Sequence, residues 1–304
     1  MARAVARVLA LALLSISSTS GQTPTFRGEV ELVPVGVTVV GGDGTYRTDL
    51  TAADFEILED GRPQTISSFA RGDQAESAPE MHVGLLFDTS SSMSEDIGLA
   101  RNAAIRFLNT LKEAKDMTFV AFDNEVRLAR YGQADFPRMV ERIRSRRADG
   151  RFTALYDALG TYLDGASEDE GRTILLLYTD GGDTRSSIGF GDLMTLVRAS
   201  DVTIYTIGFL DNQSQSVRTE QRARLFQVAD ATGGQAFFPS NMKDVEAAYD
   251  KIVAQIRAQY SLGYTSSNTK QDGSWRKVEV RLKPAAGRGA KIQARKGYFA
   301  PYRP

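Results

Sequence analysis

The chain has no cysteine, one histidine and one tryptophan in 304 residues. Without cysteine there is no disulfide, no thiolate zinc site and no cysteine nucleophile. A single histidine excludes multi-histidine metal centres and leaves His82 as the one partner for a Ser-His pair. An excess of charge is also missing. With 37 basic residues against 38 acidic ones, no overall field recruits nucleic acid or an anionic membrane. No G-x-S-x-G elbow and no Walker A loop occurs. No apolar run reaches the roughly 20 residues that a membrane-spanning helix needs.

Arg3 and Arg7 precede an apolar stretch from Val8 to Ile16, and small and polar residues follow from Ser17 to Gly21. Charged, apolar and small residues in that order form a secretory signal, expected over 1–21. No cysteine follows the apolar run, so a lipoprotein anchor is excluded. Loss of Arg3 and Arg7 leaves 35 basic against 38 acidic residues, a net charge of −3. The expected location is therefore outside the cytoplasm, periplasmic or extracellular, with no membrane insertion of the mature chain.

Three compositional regions follow. Over 26–71 the pattern is β: Val35, Val37 and Val39 alternate with Gly36 and Thr38, and Asp60-Gly61 is a turn between runs holding Phe55 and Ile57, then Ile66 and Phe69. Residues 72–79 read as a polar linker. Over 81–259 short continuous apolar runs (83–87, 117–122, 174–178, 202–209) alternate with helical stripes such as Ile97, Ala100, Ala104, Leu108 and Leu111. Runs of that kind suit strands buried on both faces, and the alternation predicts a doubly wound, mostly parallel α/β domain. Over 260–304 the β pattern returns: Val278, Val280 and Leu282 alternate with charged residues, and Lys291 to Tyr298 reads as another strand. Neither terminal β segment holds enough strands for a sheet of its own. The expectation is one small β unit built from both, with the α/β domain inserted between.

The residues that carry chemistry fall where the apolar runs end. Asp88 closes the first run and opens Asp88-Thr89-Ser90-Ser91-Ser92, and Asp180 follows the run at 174–178. In open α/β sheets ligands sit at the carboxyl ends of strands, near the point where strand order reverses. Thr153 enters the helix that begins near Ala154 and could reach the same edge. Two carboxylates and three hydroxyls are all oxygen donors, the set that hard divalent cations prefer. Taken singly, each has an ordinary reading: Ser92 with Glu95 as a capping box, Thr153 as an N-cap, Asp180-Gly181 as a turn. An EF-hand over 88–99 fails, with Met93 where glycine is needed and Leu99 where glutamate is needed. A serine hydrolase fails because His82 lies six residues before Asp88, roughly 20 Å along an extended strand.

Asp88-x-Ser90-x-Ser92, then Thr153, then Asp180 resembles the metal-ion-dependent adhesion site of von Willebrand factor type A (VWA) domains, in order, spacing and strand context. Thr153-Ala154-Leu155-Tyr156-Asp157-Ala158-Leu159 resembles the family's sequence after its metal-site threonine. The resemblance covers about 82–259. The flanks, with 55–61 and the closing Arg295-Lys296-Gly297-Tyr298, look like an exported bacterial branch of the family. It implies a central mostly parallel sheet with one divalent ion, Mg²⁺ or else Mn²⁺ or Ca²⁺, at its top. Ser90, Ser92 and Thr153 would be inner ligands, with Asp88 and Asp180 direct or water-bridged. It also implies adhesion to a protein partner that presents an acidic side chain, with no catalysis. Two other readings stand beside it: a structural or assembly module whose metal site is not used, and a Mg²⁺-dependent hydrolase. Glu95 and Asp96 resemble the acidic pair of an adjacent second cation site, but the favoured reading is acids stabilised by the dipole in a first helical turn. Arg71-Gly72-Asp73 spells an integrin-binding tripeptide by chance, and Asp183 reads as a solvated loop acid near the site.

Overall fold

A computed structural model describes residues 32–72, 79–111, 113–166, 169–287 and 289–302. The expected signal segment, the start of the first β segment and Asp73 lie outside the described residues.

The chain begins with β1 (Leu32–Val40), β2 (Phe55–Glu59), β3 (Arg62–Gln64) and β4 (Ile66–Arg71). The central region runs β5 (Met81–Asp88), α1 (Ile97–Thr110), β6 (Asp116–Phe122), β7 (Val126–Gly132), α2 (Phe136–Arg144), α3 (Leu155–Ala166), β8 (Arg172–Thr179), α4 (Phe190–Ala199), β9 (Thr203–Gly208), α5 (Gln215–Ala231), β10 (Ala236–Phe237) and α6 (Met242–Ala258). It ends with β11 (Tyr260–Thr265), β12 (Trp275–Leu282), β13 (Lys291–Ala294) and β14 (Gly297–Phe299).

The central sheet has the order β10-β9-β8-β5-β6-β7, parallel throughout except for β7, which runs antiparallel to β6 at one edge. Every residue of β5 is buried, and so is β8 after Arg172, because helices cover both faces. One face packs under α1, α2 and α6 through Phe107, Leu108, Met139, Ile143 and Ile252. The other packs under α3, α4 and α5 through Leu159, Leu163, Leu193, Val197 and Leu225. Continuous apolar strands thus follow from burial on two sides, as expected for such sheets. In mid-strand, Gly84 leaves room for Tyr162 of α3; a Cβ there would come within 2.2 Å of the ring.

The terminal segments interleave into two four-stranded sheets, β13-β1-β11-β4 and β14-β12-β2-β3, each drawing strands from both ends of the chain. Val35, Val37 and Val39 of β1 share one core with Ile57, Tyr264, Val278 and Tyr298. Asp60 (φ 48°) and Gly61 (φ 80°) make the two-residue turn between β2 and β3, the conformation for which Asp-Gly is favoured. The expected single strand from Lys291 to Tyr298 is two: β13 pairs with β1 and β14 with β12. The chain changes sheets at Arg295-Lys296, where the Lys296 carbonyl accepts from Val278 N at 3.0 Å and Arg295 Nε donates to the Gly297 carbonyl at 2.9 Å. All described residues belong to one compact unit.

Glu59, only 2% exposed, sits inside the β unit and joins four strands. Tyr264 and Tyr298 donate to its Oε2 at 2.8 and 2.9 Å, Ser266 donates to Oε1 at 2.6 Å, and the equally buried Arg276 approaches Oε1 at 3.5 Å. Removing one partner of a buried ion pair leaves the other uncompensated. Glu59→Ala should therefore lower unfolding stability by about 3–5 kcal/mol, read by urea denaturation. Gly84→Ala should cost about 1–3 kcal/mol in the same assay, because the added methyl must displace Tyr162. Rescue of Gly84→Ala by Tyr162→Phe would contradict this, because ring carbons stand as close to the new Cβ as the hydroxyl does.

Candidate functional site

Strand order in the central sheet runs outward from β5 on one side and from β8 on the other, so the reversal lies between those two strands. Asp88 is the last residue of β5 and Asp180 follows the last residue of β8. Both carboxylates therefore reach the edge where an open parallel sheet offers a crevice.

The loop after β5 folds back on Asp88. Ser90 donates to Asp88 Oδ1 through its backbone N at 2.9 Å and through its hydroxyl at 2.6 Å. The Ser90 and Ser92 hydroxyls stand 3.0 Å apart. A single 3-10 turn over Ser91–Met93, anchored by the fully buried Met93, sets this curl. The other oxygen of Asp88 accepts from the Thr179 hydroxyl at 2.6 Å. Asp88 is completely buried. Burial, followed by the Asp180 charge, pushes its carboxyl up to about 7, against the lowering effect of the Ser90 and Thr179 hydrogen bonds.

Asp180, also buried, is held on both sides: Gly182 N donates to Oδ1 at 3.2 Å and Gln213 Nε2 to Oδ2 at 2.9 Å. The segment carrying Thr153 is stitched to the first loop. Gly150 N donates to the Thr89 carbonyl at 3.1 Å, and Ser91 N donates to the Gly150 carbonyl at 2.7 Å. Only glycine fits there, since a Cβ on Gly150 would meet Asp123 Cβ at 2.2 Å. Thr153 is stitched to the third loop as well: its carbonyl accepts from Thr184 N and Arg185 N, and its own N donates to the Thr184 hydroxyl at 2.9 Å. Asp88, Ser90 and Ser92 are thus in direct contact and Asp180 is their charged neighbour. Thr153 comes from a loop tied to both, and its hydroxyl makes no hydrogen bond among the described residues.

Two buried carboxylates side by side are costly unless a cation compensates them. Neither has an ion-pair partner among the described residues, and no Lys or Arg is among the groups acting on Asp88. No group of three or more His, Asp or Glu gathers among the described residues either. The donors here are two carboxylates and three hydroxyls, with Ser92 on the solvent side. An oxygen-only set with two carboxylates and no counter-charge beside Asp88 is of the kind that a hard divalent ion takes.

The remaining candidates sort themselves by position. His82 lies at the far end of β5, with Nδ1 at 3.0 Å from Asp116 and Nε2 at 3.0 Å from the Glu170 carbonyl, away from both serines. Asp96 is the N-cap residue of α1 and accepts from Asn212 Nδ2 at 3.2 Å; Ser92 and Glu95 form no capping box. Asp183 is not a solvated acid: it accepts from Tyr156 N at 3.2 Å and from the Ser186 hydroxyl at 2.5 Å, tying the third loop to the first turn of α3. Thr179 and Gln213 contact the two carboxylates and carried no site assignment from sequence. Thr179 stands inside the Tyr178-Thr179-Asp180 stretch, whereas Gln213 is reached only through the fold.

The von Willebrand factor type A domain family matches residues 82–251. No curated protein sequence matches the chain. Among solved structures it is similar to a von Willebrand factor type A protein from Catenulispora acidiphila (TM-score 0.49, 13% identity, 91% of this chain and 75% of that one). It is also similar to the pilus adhesin SpaC from Lactobacillus rhamnosus GG (0.48, 11%, 82% of this chain), of which it spans about half, 48%. A third is the vWF domain of the type V pili tip protein Mfa5 from Porphyromonas gingivalis (0.46, 13%, 59% of this chain and 95% of that one). Since the family match spans more than half of the sequence and the sheet order agrees with it, the chain belongs to the von Willebrand factor type A domain family.

Proposed function

We propose that the protein is an exported binding module that takes an acidic side chain of a protein partner through a divalent ion held by Asp88, Ser90, Ser92, Thr153 and Asp180. The observation that carries this reading is the fully buried Asp88 carboxyl beside Asp180 with no counter-charge. Ser90, Ser92 and Thr153 would supply hydroxyl oxygens, and the two aspartates would ligate directly or through water. A bound ion supplies the positive charge that the edge lacks and a coordination position for a carboxylate from outside. The exposed position of Ser92 supports an approach from solvent. Thr179 and Gln213 fix the orientation of the aspartates, so little rearrangement is needed on binding. Binding without turnover fits the place of His82, which is engaged by Asp116 and the Glu170 carbonyl at the far end of β5 and pairs with neither serine.

Within this reading 1–21 directs export, the VWA domain occupies 81–259, and segments 26–71 and 260–304 build the β unit that carries it. The described residues hold no helix long and apolar enough to cross a membrane.

Titrating Mg²⁺ or Mn²⁺ into EDTA-stripped protein should give calorimetric heat for one site. The melting temperature should rise by the equivalent of about 2.7 kcal/mol at a hundredfold excess over Kd. No heat and an unshifted melting temperature would sink the proposal in favour of a purely structural module. Asp88→Asn and Asp180→Asn should abolish the heat while leaving the metal-free protein no less stable, because each removes one of two repelling charges. A metal-free Asp88→Asn that melts well below the parent would show that the carboxylate is needed by the fold instead.

A further inference from the structure

On the opposite side of the Asp88 loop, Thr89 faces away from the aspartates and lines a polar pocket of about 170 Å³. Arg127, Arg146 and Arg147 line the same pocket, with Asp123 and Asp149. The cations are unequally neutralised. Arg127 is spoken for: it pairs with Asp123, which also accepts from the Thr89 hydroxyl at 2.9 Å. Burial alone would raise the Asp123 carboxyl, but Arg127 and Thr89 hold it below the usual range. Arg146 has neither an ion pair nor a side-chain hydrogen bond among the described residues, and Arg147 has none either. Behind them, the guanidinium of Arg142 meets only the Tyr131 hydroxyl at 3.3 Å. The Nε–H groups of Arg127, Arg142 and Arg146 are buried and unpartnered. Burial, then Arg142 and Arg127, push the Arg146 guanidinium below its ordinary range. Asp123 and Tyr131 offset this crowding only in part, and the buried Nε–H of the half-buried Arg146 has no acceptor among the described residues.

We propose that Arg146, with Arg147 beside it, forms a carboxylate pocket for a second acidic side chain of the partner, so that the ligand is a segment carrying at least two acidic residues. A guanidinium fork matches a carboxylate in two parallel hydrogen bonds. The lining carries three positive and two negative groups, which suits a singly charged carboxylate better than a doubly charged phosphate. The pocket and the metal edge share one strand of loop: Thr89 lines the first, and Ser90 is a ligand in the second. This inference rests on the metal-site reading for the first carboxylate and on the arginines for the second.

The test uses hexaglutamate and a peptide with one glutamate flanked by glycines, with the full chain, in Mg²⁺ and in EDTA. In Mg²⁺ hexaglutamate should bind at least about tenfold more tightly than the single-glutamate peptide. Arg146→Gln should erase that gap, and Arg146→Lys should lose most of it, because an ammonium cannot replace the fork. Arg138→Gln, an equal loss of charge at an exposed residue paired with Asp135, should leave it. The melting temperature of Arg146→Gln should not fall, since a crowded charge is removed. Equal weakening by Arg138→Gln and Arg146→Gln would reduce the effect to general attraction and overturn the pocket. So would no binding at about millimolar peptide, or displacement of hexaglutamate by inorganic phosphate in preference to acetate. If EDTA abolishes all binding and Arg146→Gln changes nothing, the pocket fails and the metal reading stands. If EDTA changes nothing and Arg146→Gln erases the gap, the arginines stand and the metal reading fails.

Discussion

The repulsion between Asp88 and Asp180, confined at a dry sheet edge, sets the terms for the loops around it. β5 is buried along its whole length and paired on both sides, so Asp88 cannot withdraw into solvent. The three loops are not left to arrange themselves: the Ser90–Gly150 bridge, the Thr184–Thr153 contacts and the Asp183 cap on α3 tie each to its neighbour. A rigid frame of hydrogen bonds therefore holds the two acids together.

A second buried carboxylate in the same chain shows how differently acids can be treated. Glu59 is surrounded by two phenols, a serine and the Arg276 guanidinium, so its charge is matched inside the protein. Asp88 receives hydrogen bonds from Ser90 and Thr179 and then faces another acid. One arrangement is complete and locks strands together; the other is short of one positive partner. The arginines around Arg146 are the converse case, positive groups short of a negative one.

The α/β layer was legible because period and burial coincide: continuous apolar runs at 83–87 and 174–178 have no other home than a covered parallel sheet. The structure brings Asp88, Ser90 and Ser92 into contact. These three were singled out by their local spacing, and Asp180 and Thr153 by their places at strand and helix ends. Gln213 was not, because its contact with Asp180 depends on where the loop after β9 falls in space. Strand β7 escaped notice since an edge strand with alternating exposure and two arginines has no strong apolar signal. The split at Arg295-Lys296 escaped because alternation alone cannot say that a strand changes sheets. Pairing between the chain ends was foreseen from the strand deficit of each end, but not which strands would meet.

That interleaving has a consequence for the order in which the protein can be made. Among the described strands β1 pairs with β11 and β13, and β4 with β11, so both must wait for residues from 260 onward. Roughly 190 residues separate β4 from its partner. Contacts so distant along the chain are slow to form and leave strand edges open to aggregation meanwhile. Neither β sheet can be completed before residues from 260 onward are in place, whereas every strand of the central layer precedes them.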